Sequence, residues 1–345
     1  MKVSLLKKFD SILCPPCCIL GQALGTLFHD RTSSDRPLIV RPGGLGDLIV
    51  LCISLEELGL DPRNFHWMIE KRSKDWADHL SLDYSCYDAN SFANLWKLAG
   101  RFSIVINSEQ HFGLSQAAAV VALARQGKTF TFSTNRAAGW ASKTVPYDPL
   151  NTHETIEFGH LLIQALGLKN PAPQIISRRR KTPPTAKPVV GIGGLQADSR
   201  SLSEDRWFRL ILDWAGDRKF QIASSPADAP FARRLAERFQ TRAEAIRLPF
   251  SDLCRVIEAA EEVFTMDSGF MHVASYYGVP VTALFTSGRY KKWLPLSAGS
   301  ALVKRSDLTC QPCALFGQVP PCPYQYACKE LDFSTHKINI RRGTL

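Results

Sequence analysis

The chain has 345 residues, 45% of them hydrophobic, and a formal net charge of +10. That is long for one ordinary core and apolar enough for two, which excludes a single small module and predicts two domains. The charge points to an anionic partner, a phosphorylated glycolipid or a membrane surface, or else to a plain solvated basic surface; no RNA-binding signature or basic–aromatic repeat supports nucleic acid.

Residues 1–36 form an extension. Ser11 to Phe28 carries no charge, and Lys2, Lys7 and Lys8 precede it. Pro15-Pro16 and two glycines argue against an uninterrupted spanning helix, so the segment is expected to lie on the inner face of a membrane or to pack on the protein. Cys14, Cys17 and Cys18 lack the βαβ context of a redox motif and read as small apolar packing.

Strands and helices then alternate, the pattern of parallel sheets covered on both faces. In the first half, strands are expected near 37–41, 65–70, 103–107 and 129–133, and helices near 46–59, 114–126 and 152–167. The first strand runs into Arg41-Pro42-Gly43-Gly44-Leu45-Gly46-Asp47. Glycines there allow a ligand to approach the backbone, and Asp47 falls in the first helical turn, as a cap or as a working acid. The turn is neither a dinucleotide fingerprint nor a Walker loop.

The charged, proline-rich stretch from Ser177 to Pro184 reads as a linker, giving domains 37–176 and 188–345 joined by 177–187. Further strands are expected near 188–193, 219–223, 244–248, 262–266 and 280–285, and no solenoid repeat is present. Periodicity alone gives two doubly wound α/β domains. Within the second, Val263-Phe264-Thr265-Met266 leads into Asp267-Ser268-Gly269 and a helix with His272 one turn inside. Such a helix start is either a plain cap or an anion site suited to a diphosphate.

Taken together, these turns resemble glycosyltransferase family 9, the ADP-heptose:lipopolysaccharide heptosyltransferases. The resemblance rests on Gly44-Leu45-Gly46-Asp47, on Val189-Val190-Gly191-Ile192-Gly193-Gly194 followed by Arg200 and Trp207, and on Asp267 to Ala274 followed by Gly278-Val279-Pro280-Val281 and Trp293-Leu294-Pro295. It covers roughly residues 37 to 332, and the Asp-Ser-Gly-x-x-His block is its specific part.

The resemblance implies the GT-B architecture, two doubly wound Rossmann-like domains facing a cleft, and an inverting transfer of a heptose or related sugar from an ADP-sugar to a lipopolysaccharide core or another envelope acceptor. Asp47 is then the base. The donor falls to Arg200, Asp228, Asp267, Ser268, Gly269 and His272, with Gly44, Gly46, Gly193 and Gly194 forming the glycine turns. Arg200 stands where the family usually has lysine. Asp228, a weaker match, would hold ribose hydroxyls, and His272 either meets phosphate or fills a helix–sheet interface. No Asp-x-Asp marks a catalytic metal, so protein groups and a helix dipole are expected to replace one. Lys71, Arg72, His111 and Arg136 are candidates for an anionic glycolipid acceptor. Cys310, Cys313, Cys322 and Cys328 are expected either to hold a structural zinc or iron or to be buried thiols. The expected location is cytoplasmic, peripheral on the inner membrane. The alternatives are a relative that glycosylates a surface protein or uses another nucleotide sugar, and a non-catalytic nucleotide-binding scaffold.

Overall fold

The computed structural model describes residues 3–27, 34–86, 92–169, 173, 178–181, 183–193 and 199–340. The chain divides into two compact units, Met1–Gln174 and Ile175–Leu345.

Unit one is built on a parallel sheet of β1 (Leu38–Arg41), β2 (His66–Ile69), β3 (Asp83–Cys86), β4 (Phe102–Asn107), β5 (Leu123–Phe132) and β6 (Lys143–Val145), in the order β3-β2-β1-β4-β5-β6. Its helices are α1 (Val3–Leu27), α2 (Leu45–Glu57), α3 (Lys74–His79), α4 (Phe92–Leu98), α5 (Leu114–Ala122) and α6 (Glu154–Leu166). β1 is wholly buried because helices cover both faces, so it reads as a continuous apolar run rather than an alternating one. Leu38 and Val40 point into a core with Leu98 of α4 and Ala118, Ala119 and Ala122 of α5. α6 packs on α2.

β3 and β6 were not foreseen; both are short, largely polar edge strands, where neither period shows. The helix expected over 114–126 ends at Ala122, and β5 begins at Leu123. Gly127 explains the early switch. A Cβ there would lie 2.9 Å from the carbonyls of both Phe102 and Ser103, so only glycine lets β5 run this close to β4, beside an irregularity in their register.

α1 packs on the protein, one of the two placements expected for the extension. It runs unbroken through Pro15 and Pro16, which sit on its exposed side, where water can satisfy the carbonyls they leave unbonded. Its inner side packs on α5. The buried carboxylate of Asp10 accepts the N–H groups of Gly113 and Leu114, both at 2.9 Å, and so satisfies the start of that helix. Cys14 and Cys18 share a small core with Ala117 and Ala137, which is the packing role expected for them. Among the described residues no helix is long and apolar enough to cross a membrane.

Unit two has β7 (Val189–Ile192), β8 (Phe220–Ser224), β9 (Ala243–Ile246), β10 (Val263–Met266), β11 (Val281–Leu284), β12 (Ala301–Val303) and β13 (Lys337–Asn339), in the order β13-β12-β11-β10-β7-β8-β9. All are parallel except β13, an antiparallel edge strand on β12; neither β12 nor β13 was foreseen. The helices are α7 (Glu204–Ala215), α8 (Ala229–Arg238), α9 (Phe250–Ala259), α10 (Gly269–Tyr277), α11 (Tyr290–Trp293) and α12 (Phe333–His336). α7 shows why such helices form. Ser203 caps it by accepting the N–H of Arg206, and Glu204 and Asp205 meet the positive end of the dipole. Trp207, Leu210, Ile211 and Trp214 recur at helical spacing on its buried side, and Gly216 ends it with positive φ. Burying one such side chain is worth about 1.5–3 kcal/mol, against about 1 kcal/mol for the cap, so the face rather than the cap holds the helix.

The linker stretch is stitched along unit two. The N–H of Arg178 donates to Leu296 O at 2.7 Å, and that of Ala186 to Ala259 O at 3.0 Å. Gly278 makes room for it: φ is +71° there, and a Cβ would sit 2.4 Å from the backbone of Arg179.

Leaving out β13, unit two reads β9-β8-β7-β10-β11-β12, the same topology as β3-β2-β1-β4-β5-β6 in unit one. In both, the strand order reverses between the first and fourth strands, and such a switch point is where open parallel sheets bind ligands.

Candidate active site

At the switch point of unit one, β1 ends on a charge. Arg41 is 3% exposed, and the chain turns through Gly43, whose φ is +136° and whose absent Cβ leaves space for the Arg41 guanidinium. α2 then begins at Leu45, with Gly44 as its N-cap and Gly46 and Asp47 in its first turn. Asp47 is tied on both oxygens: Gly44 N–H donates to Oδ2 at 3.2 Å and Arg41 Nη2 to Oδ1 at 2.9 Å. Its side chain remains 25% exposed, so the carboxylate is fixed yet reachable. Both roles weighed for Asp47 are thus geometrically available, since it caps its own helix and also faces outward.

Arg41 gathers more than Asp47. It donates to Ser108 O at 2.6 Å and to Gln110 Oε1, stands 3.9 Å from Glu109, and lies over the Phe158 ring. Gln110 Nε2 and Tyr147 OH in turn donate to Glu154, which is fully buried at the start of α6. Burial opposes the charge on Arg41, but Asp47, Glu109 and Glu154 outweigh it and hold the guanidinium pKa above its ordinary value. Burial pushes the Glu109 carboxyl up, and Arg41 with the N–H groups of His111 and Phe112 only partly offsets this. Burial, then Glu154, raises the Tyr147 phenol likewise. The sequence reading passed over this network. Its signal was present: a cation closing an otherwise apolar strand, and an acid two residues past the end of β4.

The acceptor candidates follow strand ends of the same sheet. Lys71 and Arg72 form an exposed turn after β2, where Ser73 Oγ donates to Gly43 O; Arg72 pairs with Glu70 at 2.6 Å. His111 follows β4 and Arg136 follows β5, and they meet, because Arg136 N–H donates to His111 O at 3.2 Å. Arg136 also stands 4.0 Å from Asp10 of α1.

At the switch point of unit two, β7 runs into Gly193, and Gly194 lies outside the described residues. Gly191 and Gly193 face the Phe270 ring; a Cβ at Gly191 would sit 2.6 Å from that ring, so the glycines admit an aromatic side chain. Ser268 caps α10 in extended conformation, its hydroxyl 3.1 Å from that of Thr265, which donates to Gly191 O at 2.8 Å. Arg200 Nη1 reaches Asp267 O at 3.3 Å. The Asp267 carboxylate lies over Gly288, where a Cβ would come 2.5 Å from Oδ2. Arg200, Asp267, Ser268 and Gly269 are therefore brought together. His272 is 6% exposed and meets the Trp293 ring edge-on at 5.7 Å, so it fills an interface. Asp228 is buried in its own turn after β8, accepting from Ser225 Oγ at 2.8 Å.

The four tail cysteines line one cavity of about 20 Å³. Burial, then the neighbouring thiols, pushes Cys328 up to about 11 and raises Cys313 as well. Among the described residues no three His, Cys, Asp or Glu side chains are arranged to hold a metal ion.

No curated protein sequence matches the chain significantly. Solved structures do. The E. coli heptosyltransferase WaaC with ADP superimposes with a TM-score of 0.59 at 18% identity, covering 75% of this chain and 89% of that one. E. coli ADP-heptose LPS heptosyltransferase II gives 0.63 at 12% identity, over 79% and 91%. A family 9 glycosyl transferase from Veillonella parvula gives 0.60 at 17%, over 77% and 85%. At such identities the likeness establishes the fold, that of the GT-B heptosyltransferases. The model of glycosyltransferase family 9 (heptosyltransferase) matches residues 95–319, which includes Arg200 and the Asp267–His272 block and leaves Asp47 outside the matched range. That match covers more than half of the sequence, and the chain belongs to glycosyltransferase family 9.

Proposed function

We propose that this glycosyltransferase is inverting and moves a heptose or related sugar from an ADP-sugar to a bacterial envelope glycolipid, the lipopolysaccharide core foremost, with no metal ion in the chemical step. The observation that carries the reading is Asp47, a reachable carboxylate pinned by a buried arginine at the switch point of its sheet. In the proposed reaction the acceptor hydroxyl oxygen attacks the anomeric carbon, and the bond to the diphosphate oxygen breaks with its electron pair. Asp47 takes the hydroxyl proton, late, once the new C–O bond has acidified it, so positioning counts as much as basicity. The departing diphosphate is met by Arg200, Ser268 and the first N–H groups of α10, Gly269 among them. Asp267 orients the sugar or holds Arg200, and Asp228 serves only if its turn opens. Lys71, Arg72, His111 and Arg136 offer the acceptor its cations.

The outer side of α1 exposes Ile12, Leu13, Ile19 and Leu20, which supports a peripheral seat on the cytoplasmic face of the inner membrane. The tail cysteines share a cavity but are not set as a ligand group, so no step is assigned to a metal there. About one equivalent of zinc or iron in freshly reduced protein would make the cluster a metal site; none would leave buried thiols.

Calorimetry with ADP, GDP, UDP and AMP tests the donor side. ADP is expected to bind tightest and AMP weakly, because AMP lacks the second phosphate. Equal binding of AMP and ADP would remove the diphosphate site and with it this reading. Transfer assays on lipopolysaccharide core and on envelope protein then separate the two acceptor classes.

A further inference from the structure

The Cys-rich loop that follows β12 is fastened to the turn at 285–288, which leaves β11. Gln311 Nε2 donates to the carbonyls of Phe285 (3.0 Å) and Thr286, and the N–H groups of Cys313 and Ala314 both donate to Ser287 O, at 3.2 and 3.0 Å. Three successive carbonyls of one buried turn are thus satisfied from one loop. On its other side the same turn reaches the donor half-site twice. Thr286 Oγ1 donates to the carbonyl of Ser199, the residue before Arg200, at 2.8 Å. Gly288 supplies the space in which the Asp267 carboxylate lies. Phe285, Thr286 and Ser287 are at most 2% exposed, so the turn sits in close packing and transmits displacement.

We infer that Gln311 is a positioning residue for nucleoside-diphosphate binding, acting through the 285–288 turn on Arg200 and Asp267. Buried carbonyls need partners, and Gln311 supplies a donor to two of them. Without it the turn relaxes toward whatever satisfies those groups, and Ser199 and the Asp267 pocket move with it. The inference rests on the reading of Arg200 and Asp267 as diphosphate-side groups.

The test is ADP affinity by calorimetry, beside the thermal midpoint, for full-length wild type, Gln311→Ala, Gln311→Glu, Thr286→Val and the Gln311→Ala/Thr286→Val double variant, at a temperature where all are folded. Gln311→Ala, unable to donate, and Gln311→Glu, unable to donate while ionised, are each expected to weaken ADP roughly three- to tenfold, the worth of one neutral hydrogen bond. Thr286→Val is expected to do the same, and the double variant to fall short of the product, because both act through one turn. A lower thermal midpoint with unchanged ADP affinity would mean a merely structural role and would overturn the inference, as would strict additivity. Should Gln311→Ala fail to fold, Thr286→Val carries the same test. Arg200→Ala is measured in parallel. If it leaves ADP binding intact, the donor reading fails; if it weakens ADP while the other variants bind normally, only the present inference fails.

Discussion

Unit one and unit two share a strand order and place a turn and a helix start at the same point of it, but they fill that point differently. In unit one the point is charged and sealed: Arg41 is buried among Asp47, Glu109 and Glu154, and the Gly44 N–H is already taken by Asp47. In unit two the charges are Arg200, turned onto the Asp267 carbonyl, and the Asp267 carboxylate over Gly288, beside the hydroxyls of Thr265 and Ser268 and the glycines under the Phe270 ring. A network that supplies its own counter-charges fixes one group in one orientation, which suits a residue that must act on a bound hydroxyl. With no acid in its first turn, α10 leaves the positive end of its dipole less compensated than that of α2, which favours an anion there. Under the proposed function the same topology serves chemistry in one unit and donor binding in the other, and the two helix starts differ in that an acid, Asp47, lies in the first turn of α2 and none lies in that of α10.

The comparison breaks most sharply at Asp47. Asp47→Asn should lower turnover by about 10²–10⁴-fold, the usual worth of a positioned acid–base group, with ADP affinity unchanged. Steady-state kinetics beside calorimetry checks both halves; retained turnover would reduce Asp47 to a helix cap. Next comes Arg41→Met, which leaves buried carboxylates unpaired and should cost about 3–5 kcal/mol in denaturant unfolding. A loss below about 1 kcal/mol would show that the network is wetter than its burial suggests. Unit two should be far more forgiving: Arg200→Ala is expected to weaken ADP by about 1.5–3 kcal/mol while leaving the unfolding midpoint nearly untouched.

The two units were also unequally legible in the sequence. The glycine turns, Asp47 and the Asp267-Ser268-Gly269 start were readable because turn chemistry is local: a strand, a small residue and a helix lie within a few positions of each other. Most interior strands were readable for the same reason, as short apolar runs, but β12, only Ala301–Val303, was too short to stand out. Edge strands β3, β6 and β13 were not readable, since polar edges carry no clear period. The network around Arg41 joins β1, the loop after β4 and the start of α6, and no spacing rule connects residues 41, 109 and 154. The burial of His272 against Trp293 is likewise a tertiary fact, whereas the turn that closes on Asp228 is local, made by Ser225 three residues before it. That α1 would run unbroken was not readable, because a proline pair reads as a breaker until it is known to face outward.

The smallest expected effect is also the most specific to the sealed character of unit one. Glu109 is 7% exposed, and burial raises its carboxyl pKa despite Arg41 nearby. Asp47 pushes the same way, while the His111 and Phe112 N–H groups oppose it. A carboxyl whose folded pKa lies above its unfolded value stabilises the fold fully while protonated, and that contribution is lost as pH rises from the ordinary glutamate range through the folded pKa. Glu109→Gln keeps the shape and removes the titration. The difference in unfolding free energy, variant minus wild type, should therefore rise as pH climbs from the ordinary glutamate range and level off once Glu109 is ionised. Denaturant unfolding at a series of pH values reads this directly. A difference that falls with pH would mean that Arg41 holds Glu109 ionised more strongly than burial resists it, and the switch point of unit one would be an ordinary ion pair rather than a sealed excess of acid.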